Sequence, residues 1–237
     1  MLDVAVVDYG MGNLRSVEQA LRNIAPAAEI AVTDDPEKVA SASRVVFPGQ
    51  GAMPECMREL EARGLREAVL LAARTKPFLG ICVGLQMLFE HSAEGDVPGL
   101  GILPGKVVRF DSNMHDAQGN KLKVPHMGWN QVHHVDPHLN PLPLAGEEAM
   151  TASTSGGSPR VDVHPLWEGI EQDARFYFVH SYYVQPQDVS QVQATSKYPQ
   201  SFACAVAKNN LFAVQFHPEK SHTAGLKLLQ NFMQWKP

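Results

Sequence analysis

Residues 77–89, Pro77-Phe78-Leu79-Gly80-Ile81-Cys82-Val83-Gly84-Leu85-Gln86-Met87-Leu88-Phe89, hold the pattern that decides the fold. Pro77 to Ile81 has the composition of a short buried strand, and Val83 to Phe89 follows at helical spacing with no loop between. A strand that turns straight into a helix, with a glycine two residues either side of a cysteine, is the layout of a nucleophile elbow. The turn needs a strained backbone at its apex and small neighbours beside it, and Gly80 and Gly84 supply the room. Cys82 then stands at the edge of a sheet and at the positive end of a helix, where a thiolate is favoured. The same five residues also fit a buried cysteine in a glycine-rich turn, and the motif alone leaves both readings open.

The strand-helix alternation extends upstream. Val4 to Asp8 reads as a strand, Gly10 to Asn13 as a turn, and Leu14, Val17, Leu21 and Ile24 as the apolar face of a helix. A strand at Glu29 to Thr33 is followed by Asp35-Pro36, an N-cap with proline at the first helical position. A third strand, Arg44 to Phe47, breaks at Pro48-Gly49-Gln50-Gly51; a helix with Met57 and Leu60 then ends at Gly64, and Leu65 to Arg74 forms another. This alternation predicts an α/β fold, an open and mostly parallel sheet with helices on both faces and its sites at the carboxyl ends of the strands. After Gly105 the segments are strand-like with few helices: Lys106 to Phe110, Trp129 to Val132, Arg175 to Val179, Val192 to Ser196, Ala203 to Ala207 and Leu211 to Phe216. They predict a mixed or antiparallel extension, closed by a helix over His222 to Trp235.

His138 to Val163 is rich in Pro, Ser, Thr and Gly and has little periodicity, too long for a structureless connection inside a compact domain. Residues 1–237 are therefore read as one domain with a flexible insertion at 138–163. A linker between two domains is the alternative, but the chain after His164 has too few apolar helices for a separate core.

Composition narrows the function. The net charge is −5 with no cluster of Lys and Arg, which gives no footprint for nucleic acid or anionic lipid. At 44% hydrophobic and 19% charged the chain is an ordinary globular sequence, and no apolar stretch approaches the roughly 18 residues of a membrane helix. Asp3 and Asp8 interrupt what a secretory signal keeps apolar, so a cytoplasmic location is expected. The three cysteines, Cys56, Cys82 and Cys204, have neither disulfide nor zinc spacing, and Cys56 and Cys204 read as packing residues. His133, His134 and His138 lack acidic or cysteine partners at ligand spacing and are expected on the surface. Gly10-Met11-Gly12 has Arg15 where a dinucleotide fingerprint wants glycine, and Gly105-Lys106 has Leu100 where a P-loop wants one. No metal and no cofactor are expected.

A second constellation, Val214-Gln215-Phe216-His217-Pro218-Glu219-Lys220-Ser221, ends the last predicted strand. If the sheet brings it beside the elbow, His217 supplies the base that a cysteine nucleophile needs and Glu219 fixes its tautomer. A surface histidine in a proline turn is the alternative.

GICVGLQ at 80–86 with VQFHPEKS at 214–221 resembles the class I (triad) glutamine amidotransferases, whose sheet is flavodoxin-like. VVDYGMGNLRSV near the start, PHMGWN at 125–130 and YFVHSYY at 177–183 resemble, within them, the glutaminase subunits of imidazole glycerol phosphate synthases. The resemblance implies that Cys82 is the nucleophile, His217 the acid and base, and Glu219 its orienting carboxylate. It implies an oxyanion hole from the Val83 amide and the Gly49-Gln50-Gly51 loop, although the family usually has a small apolar residue at position 50. It places Gln86 and Glu94 on the polar ends of glutamine and the backbone of Ser181 and Tyr182 along the substrate. It implies a (β/α)8-barrel cyclase as partner in a heterodimer, met by Asn13, Met127, Trp129 and Asn130. Ammonia then passes through a channel to the cyclase, which forms imidazole glycerol phosphate and an aminoimidazole carboxamide ribotide in histidine biosynthesis. Taken singly, Gln86 also fits a solvated helix residue, Glu94 a loop carboxylate, Tyr182 a core aromatic and Trp129 the core of the second half. The glutaminase subunit of anthranilate or aminodeoxychorismate synthase, a silent partner subunit and a cysteine hydrolase are the competing readings.

Overall fold

The computed structural model describes residues 2–116, 118–135 and 163–237; of the 138–163 stretch only Val163 falls among them. The first half runs β1 (Val4–Val7), α1 (Leu14–Ile24), β2 (Ile30–Thr33), α2 (Pro36–Ser41), β3 (Arg44–Gly49), α3 (Met53–Ala62), α4 (Arg66–Thr75), β4 (Phe78–Cys82) and α5 (Val83–Gln86). It continues with β5 (Phe89–Ser92), β6 (Val97–Pro98), β7 (Leu103–Arg109), β8 (His126–Gln131) and β9 (His133–His134). The last part holds β10 (Arg175–His180), β11 (Tyr182–Pro186), β12 (Val192–Lys197), β13 (Ser201–Lys208), β14 (Leu211–Val214) and α6 (His222–Gln234).

The unbroken apolar runs occupy the middle of the sheet, where both faces are covered. Every residue of β1, β4 and β14 is buried, the signature of a parallel strand under helices. The large sheet has the order β2-β1-β3-β4-β14-β13-β11-β7-β5-β6. Strands β2 through β14 in that order are parallel, and β13, β11 and β7 extend them antiparallel. β8 and β10 form a separate two-stranded antiparallel ribbon rather than part of this extension. Around the sheet α1 packs on α6 and α2 on α4. Local signals act as read: the Asp35 side chain accepts from the Glu37 amide at 2.9 Å with Pro36 at the first position of α2, a cap of about 1 kcal/mol. Gly64, after α3, has φ +67°.

Three further expectations are corrected. β3 runs through Pro48 and Gly49, two residues beyond the predicted break, because Gly49 still pairs with Cys82 in β4. The helix predicted over Val83 to Phe89 is one turn long, and Phe89–Ser92 is a strand. The carbonyls of Met87 and Leu88 are taken by the amides of Leu100, Ile102 and Leu103, so the chain leaves the helix to pair with β7. A one-turn helix sums few peptide dipoles, which removes most of the macrodipole argument for Cys82. His134, expected on the surface, is buried: its ring stacks on Trp167 at 4.1 Å, while its backbone amide and carbonyl bond the Gln172 side chain. His138 lies outside the described residues.

Folding holds four histidines as neutral rings. Burial pulls His126, His134 and His164 from an ordinary 6.5 down to about 4, and His180 down to about 3. The unfolded chain protonates them below pH 6.5, whereas the folded chain does so only near pH 3 to 4. Their stabilising contribution is therefore whole above pH 6.5 and is lost as pH falls, at about 1.4 kcal/mol per pH unit for each ring. The melting temperature is expected to drop steeply between pH 6.5 and 4.5 by scanning fluorimetry. A flat profile across that window would contradict buried neutral rings.

Candidate active site

The carboxyl ends of three parallel strands converge on one cavity. β3 delivers the Pro48 to Gly51 loop, β4 Cys82, and β14 the segment from Gln215 to Glu219, while β1 delivers Tyr9 behind the loop. Cys82 has φ +56° and ψ −112°, a region an L residue enters at roughly 1–3 kcal/mol of strain. The surroundings enforce it: a Cβ on Gly84 would lie 1.9 Å from the Phe47 carbonyl oxygen, and one on Gly49 2.7 Å from the Gly84 amide nitrogen. Strand, loop and elbow approach this closely only with glycine at 49 and 84. Val83 opens α5, so its N–H has no carbonyl one turn back and is a donor available to a bound oxygen.

His217 Nδ1 lies 2.9 Å from Glu219 Oε1, with the two side chains 3% and 1% exposed. Such burial makes the Glu219 carboxylate an effective partner, which fixes the proton of a neutral ring on Nδ1. The loop is held from behind: the Ser221 hydroxyl donates to the His217 carbonyl and accepts from the Tyr177 amide, and the His217 amide donates to the Tyr177 carbonyl. Burial works to lower the His217 pKa, but the charge of the neighbouring Cys82 sulfur and Glu219 outweigh it and push the ring up to about 10. Nε2 is buried with no hydrogen bond of ordinary geometry among the described residues, so Cys82 acts on it through charge. A buried base whose second nitrogen is uncommitted and coupled to a sulfur can move a proton to and from a group bound at that sulfur.

The expected oxyanion loop is pinned by two residues the sequence did not single out. The Tyr9 hydroxyl donates to the Pro48 carbonyl at 2.9 Å, and the Cys56 thiol donates to the Gln50 carbonyl at 3.7 Å. Cys56 is thus more than a packing residue, and burial pushes its thiol up to about 11. Gln50 is exposed, so the unusual residue at this position is accommodated in solvent while its carbonyl is tied to α3.

The cavity, of about 250 Å³, is lined by Gln50, Gly51, Cys82, Val83, Gln86, Glu94, Ser181, Tyr182 and His217, and also by Pro125, Val179 and His180, which were not singled out. Gln86 is not a solvated helix residue: it is buried, and its Nε2 donates both to the Tyr182 carbonyl and to Gln215 Oε1, each at 3.0 Å. Its remaining capacity is the acceptor Oε1. Glu94 accepts from the Met53 amide at 2.9 Å and so tops α3 while it borders the cavity. A larger groove of about 700 Å³ at the amino ends of the strands, by Arg44, Lys76 and Trp235, has Arg44 and Lys76 turned onto backbone carbonyls and no cysteine or histidine in its lining.

Met127 and Trp129 stand on the outer side of β8, 63% and 43% exposed, with Trp129 stacked on His222 at 4.9 Å and 3°. Trp129 is therefore outside the core. Asn130 is half-buried and bonds His126 and the Lys197 carbonyl, while Asn13 heads α1 and accepts from the Ser16 hydroxyl. Among the described residues no three His, Cys, Asp or Glu side chains gather as a metal site, and no helix is long and apolar enough to cross a membrane.

An open α/β sheet with a strained cysteine elbow, facing a histidine held by a buried carboxylate, defines a class of proteins equipped for nucleophilic attack on an acyl group. The Glutamine amidotransferase class-I family model matches residues 5–235. The imidazole glycerol phosphate synthase subunit HisH of Aromatoleum aromaticum is 58% identical over 238 residues, and that of Nitrosospira multiformis 60% over 238, each match covering 100% of both chains. PurLQS from Thermotoga maritima matches in structure with a TM-score of 0.65 at 18% identity, covering 98% of each chain, a likeness of fold alone. The chain belongs to the class I glutamine amidotransferases and, among them, to the family of imidazole glycerol phosphate synthase HisH subunits.

Proposed function

We propose that this chain is the glutaminase subunit of an imidazole glycerol phosphate synthase and that Cys82, His217 and Glu219 are its catalytic triad. The observation that carries the triad is the buried His217–Glu219 pair, whose free Nε2 is coupled to the Cys82 sulfur. The thiolate adds to the carboxamide carbon of L-glutamine, and the oxyanion is received by the Val83 amide and the Gly49–Gly51 loop. His217 passes its proton to the departing nitrogen, the C–N bond breaks and ammonia leaves a thioester. Water, deprotonated by His217, cleaves the thioester to glutamate and returns the thiolate. Gln86 Oε1 and the free oxygen of Glu94 are acceptors for the substrate's ammonium, and the backbone of Ser181 and Tyr182 runs along the substrate.

Ammonia in neutral water is largely protonated and no longer nucleophilic, so its use requires a closed path to a second site. We assign that site to a (β/α)8-barrel cyclase subunit in a heterodimer that works in the cytoplasm. Met127 and Trp129 are exposed apolar anchors for it, and we assign Asn13 and Asn130 to the same interface. Residues 1–237 act as one amidotransferase domain in this scheme. The competing reading of a silent partner subunit predicts no turnover at all. Glutamate release is to be measured for the chain alone, with the cyclase, and with the cyclase and its ribotide ligand. Little activity alone and strong activity with both is expected. Vigorous turnover by the lone chain would overturn the coupling, and no glutamate under any condition would overturn the enzyme.

A further inference from the structure

The carbonyl oxygen of Tyr182 is the junction of two hydrogen-bond chains. It accepts from His180 Nδ1 at 2.8 Å and from Gln86 Nε2 at 3.0 Å. A carbonyl only accepts, so both partners must present hydrogens there, and this single fact orients every group on either side.

Toward β4 the order is forced link by link. One hydrogen of the Gln86 amide goes to Tyr182, and the other goes to Gln215 at 3.0 Å, so Gln215 must turn its oxygen to Gln86. Its Nε2 is thereby left facing the Cys82 sulfur, 3.8 Å away. Gln215 is 0% exposed and its backbone amide donates to the Cys204 carbonyl. It cannot flip without placing two donors against each other at Gln86. The sulfur therefore has a dedicated side-chain donor.

Toward β8 the order is equally forced. His180 carries its proton on Nδ1, and the buried ring is neutral, so its Nε2 is a bare acceptor. His126 Nδ1 lies 2.9 Å from it and must donate, which leaves His126 Nε2 bare. The Asn130 amide supplies the last donor at 3.2 Å, with its other hydrogen on the Lys197 carbonyl at 3.0 Å. Asn130 Oδ1 accepts from the Gln131 amide at 2.9 Å, which fixes which way that carboxamide faces. No link has two donors or two acceptors in opposition.

We propose that Gln215 is a further functional residue of the amidotransferase site, which donates to the Cys82 sulfur and favours its thiolate, and that its polarity is set through Gln86 by the Tyr182 carbonyl, on which the chain from Asn130 on β8 through His126 and His180 also ends. This rests on the triad assignment for the role of the sulfur but not on glutamine or the cyclase as partners. The ribbon bearing Met127 and Trp129 and the donor to the nucleophile thus share one acceptor, the Tyr182 carbonyl.

The test is the pH profile of iodoacetamide alkylation of Cys82 in the full chain, with Cys82→Ala as the blank for Cys56 and Cys204. Gln215→Glu keeps the side-chain shape but points an oxygen at the sulfur, and Gln215→Met keeps the volume without a donor. The alkylation midpoint is expected to rise by about one pH unit in Gln215→Met, roughly tenfold slower labelling near neutrality, and by more in Gln215→Glu. Gln86→Glu removes the donor that faces Gln215, so the Gln215 carboxamide reverses and turns its oxygen to the sulfur; its midpoint is expected to rise as well. Melting curves identify folded variants. An unchanged midpoint in a folded Gln215→Met overturns the donor; if neither Gln215 variant folds, an unchanged midpoint in Gln86→Glu overturns the proposal. Wild-type labelling indistinguishable from Cys82→Ala overturns it as well. Failure of the glutaminase reading shows separately, as absent glutamate from a wild type whose Cys82 is still labelled.

Discussion

Cys82→Ala, assayed for glutamate release in the presence of the cyclase and its ligand, is expected to lose at least ~10⁴-fold in kcat, the scale on which removing the nucleophile of a catalytic triad acts. Nothing else in the cavity replaces it: Cys56 is tied to the Gln50 carbonyl and its thiol is pushed up to about 11, and Cys204 is fully buried. The same position makes a less obvious demand on stability. At φ +56° and ψ −112° any side chain with a Cβ is strained, alanine included, whereas glycine is at ease. Cys82→Gly is therefore expected to be as inactive as Cys82→Ala but more stable than it by about 1 kcal/mol, the loss of glycine's freedom on folding having been subtracted. Thermal melts of the pair measure this difference directly. A glycine variant that melts below the alanine variant would show that the elbow is unstrained, and equal glutamate production by either variant would remove Cys82 from the chemistry.

The parts of this fold legible from sequence are those whose cause is local. β1, β3 and β4 are short apolar runs bounded by turn residues, and Asp35-Pro36 caps α2 through contacts two residues apart. The triad we propose is legible for the same reason: Gly80 and Gly84 flank Cys82, and His217 and Glu219 are near neighbours along the chain. Val83 to Phe89 was misread because Leu85, Met87, Leu88 and Phe89 are all fully buried. An apolar run buried all round carries no period by which helix and strand can be told apart, and what ends the helix is the distant pull of Leu100 to Leu103 on its carbonyls. Gln215, Tyr9 and the His126–His180 pair are not legible because each acts on a partner supplied by another strand or helix, and Cys56 because its partner is a backbone carbonyl of the preceding loop, which no residue type signals. Their residue types fit packing and surface roles equally well until the sheet is assembled. Trp129 is the converse: its chemistry fitted the core, and only the alternation of β8, with His126 inward and Met127 and Trp129 outward, turns it to solvent.

Gly84→Ala is expected to be the most destabilising single methyl group that can be added near the site. The new Cβ would sit 1.9 Å from the Phe47 carbonyl oxygen and 3.0 Å from its carbon. Phe47 cannot yield, because β3 is hydrogen-bonded between β1 on one side and β4 on the other, and a paired backbone moves only by breaking its ladder. Overpacking a core usually costs about 1–3 kcal/mol; with backbone on both sides of the clash we expect the upper end or beyond, a fall in melting temperature of roughly 6–12 °C. Gly64→Ala is the control that separates a clash from an unfavourable φ. Gly64 has φ +67° but open space around its absent Cβ, so alanine there is expected to cost about 1 kcal/mol and to leave kcat unchanged. Gly84→Ala differs in activity too. Gly49, whose own Cβ position lies 2.7 Å from the Gly84 amide, must move with β3, and it carries the loop we assign to the oxyanion. A Gly84→Ala protein still folded at low temperature should therefore lose kcat while Gly64→Ala does not, and equal kcat in the two would mean that the loop is positioned independently of the elbow.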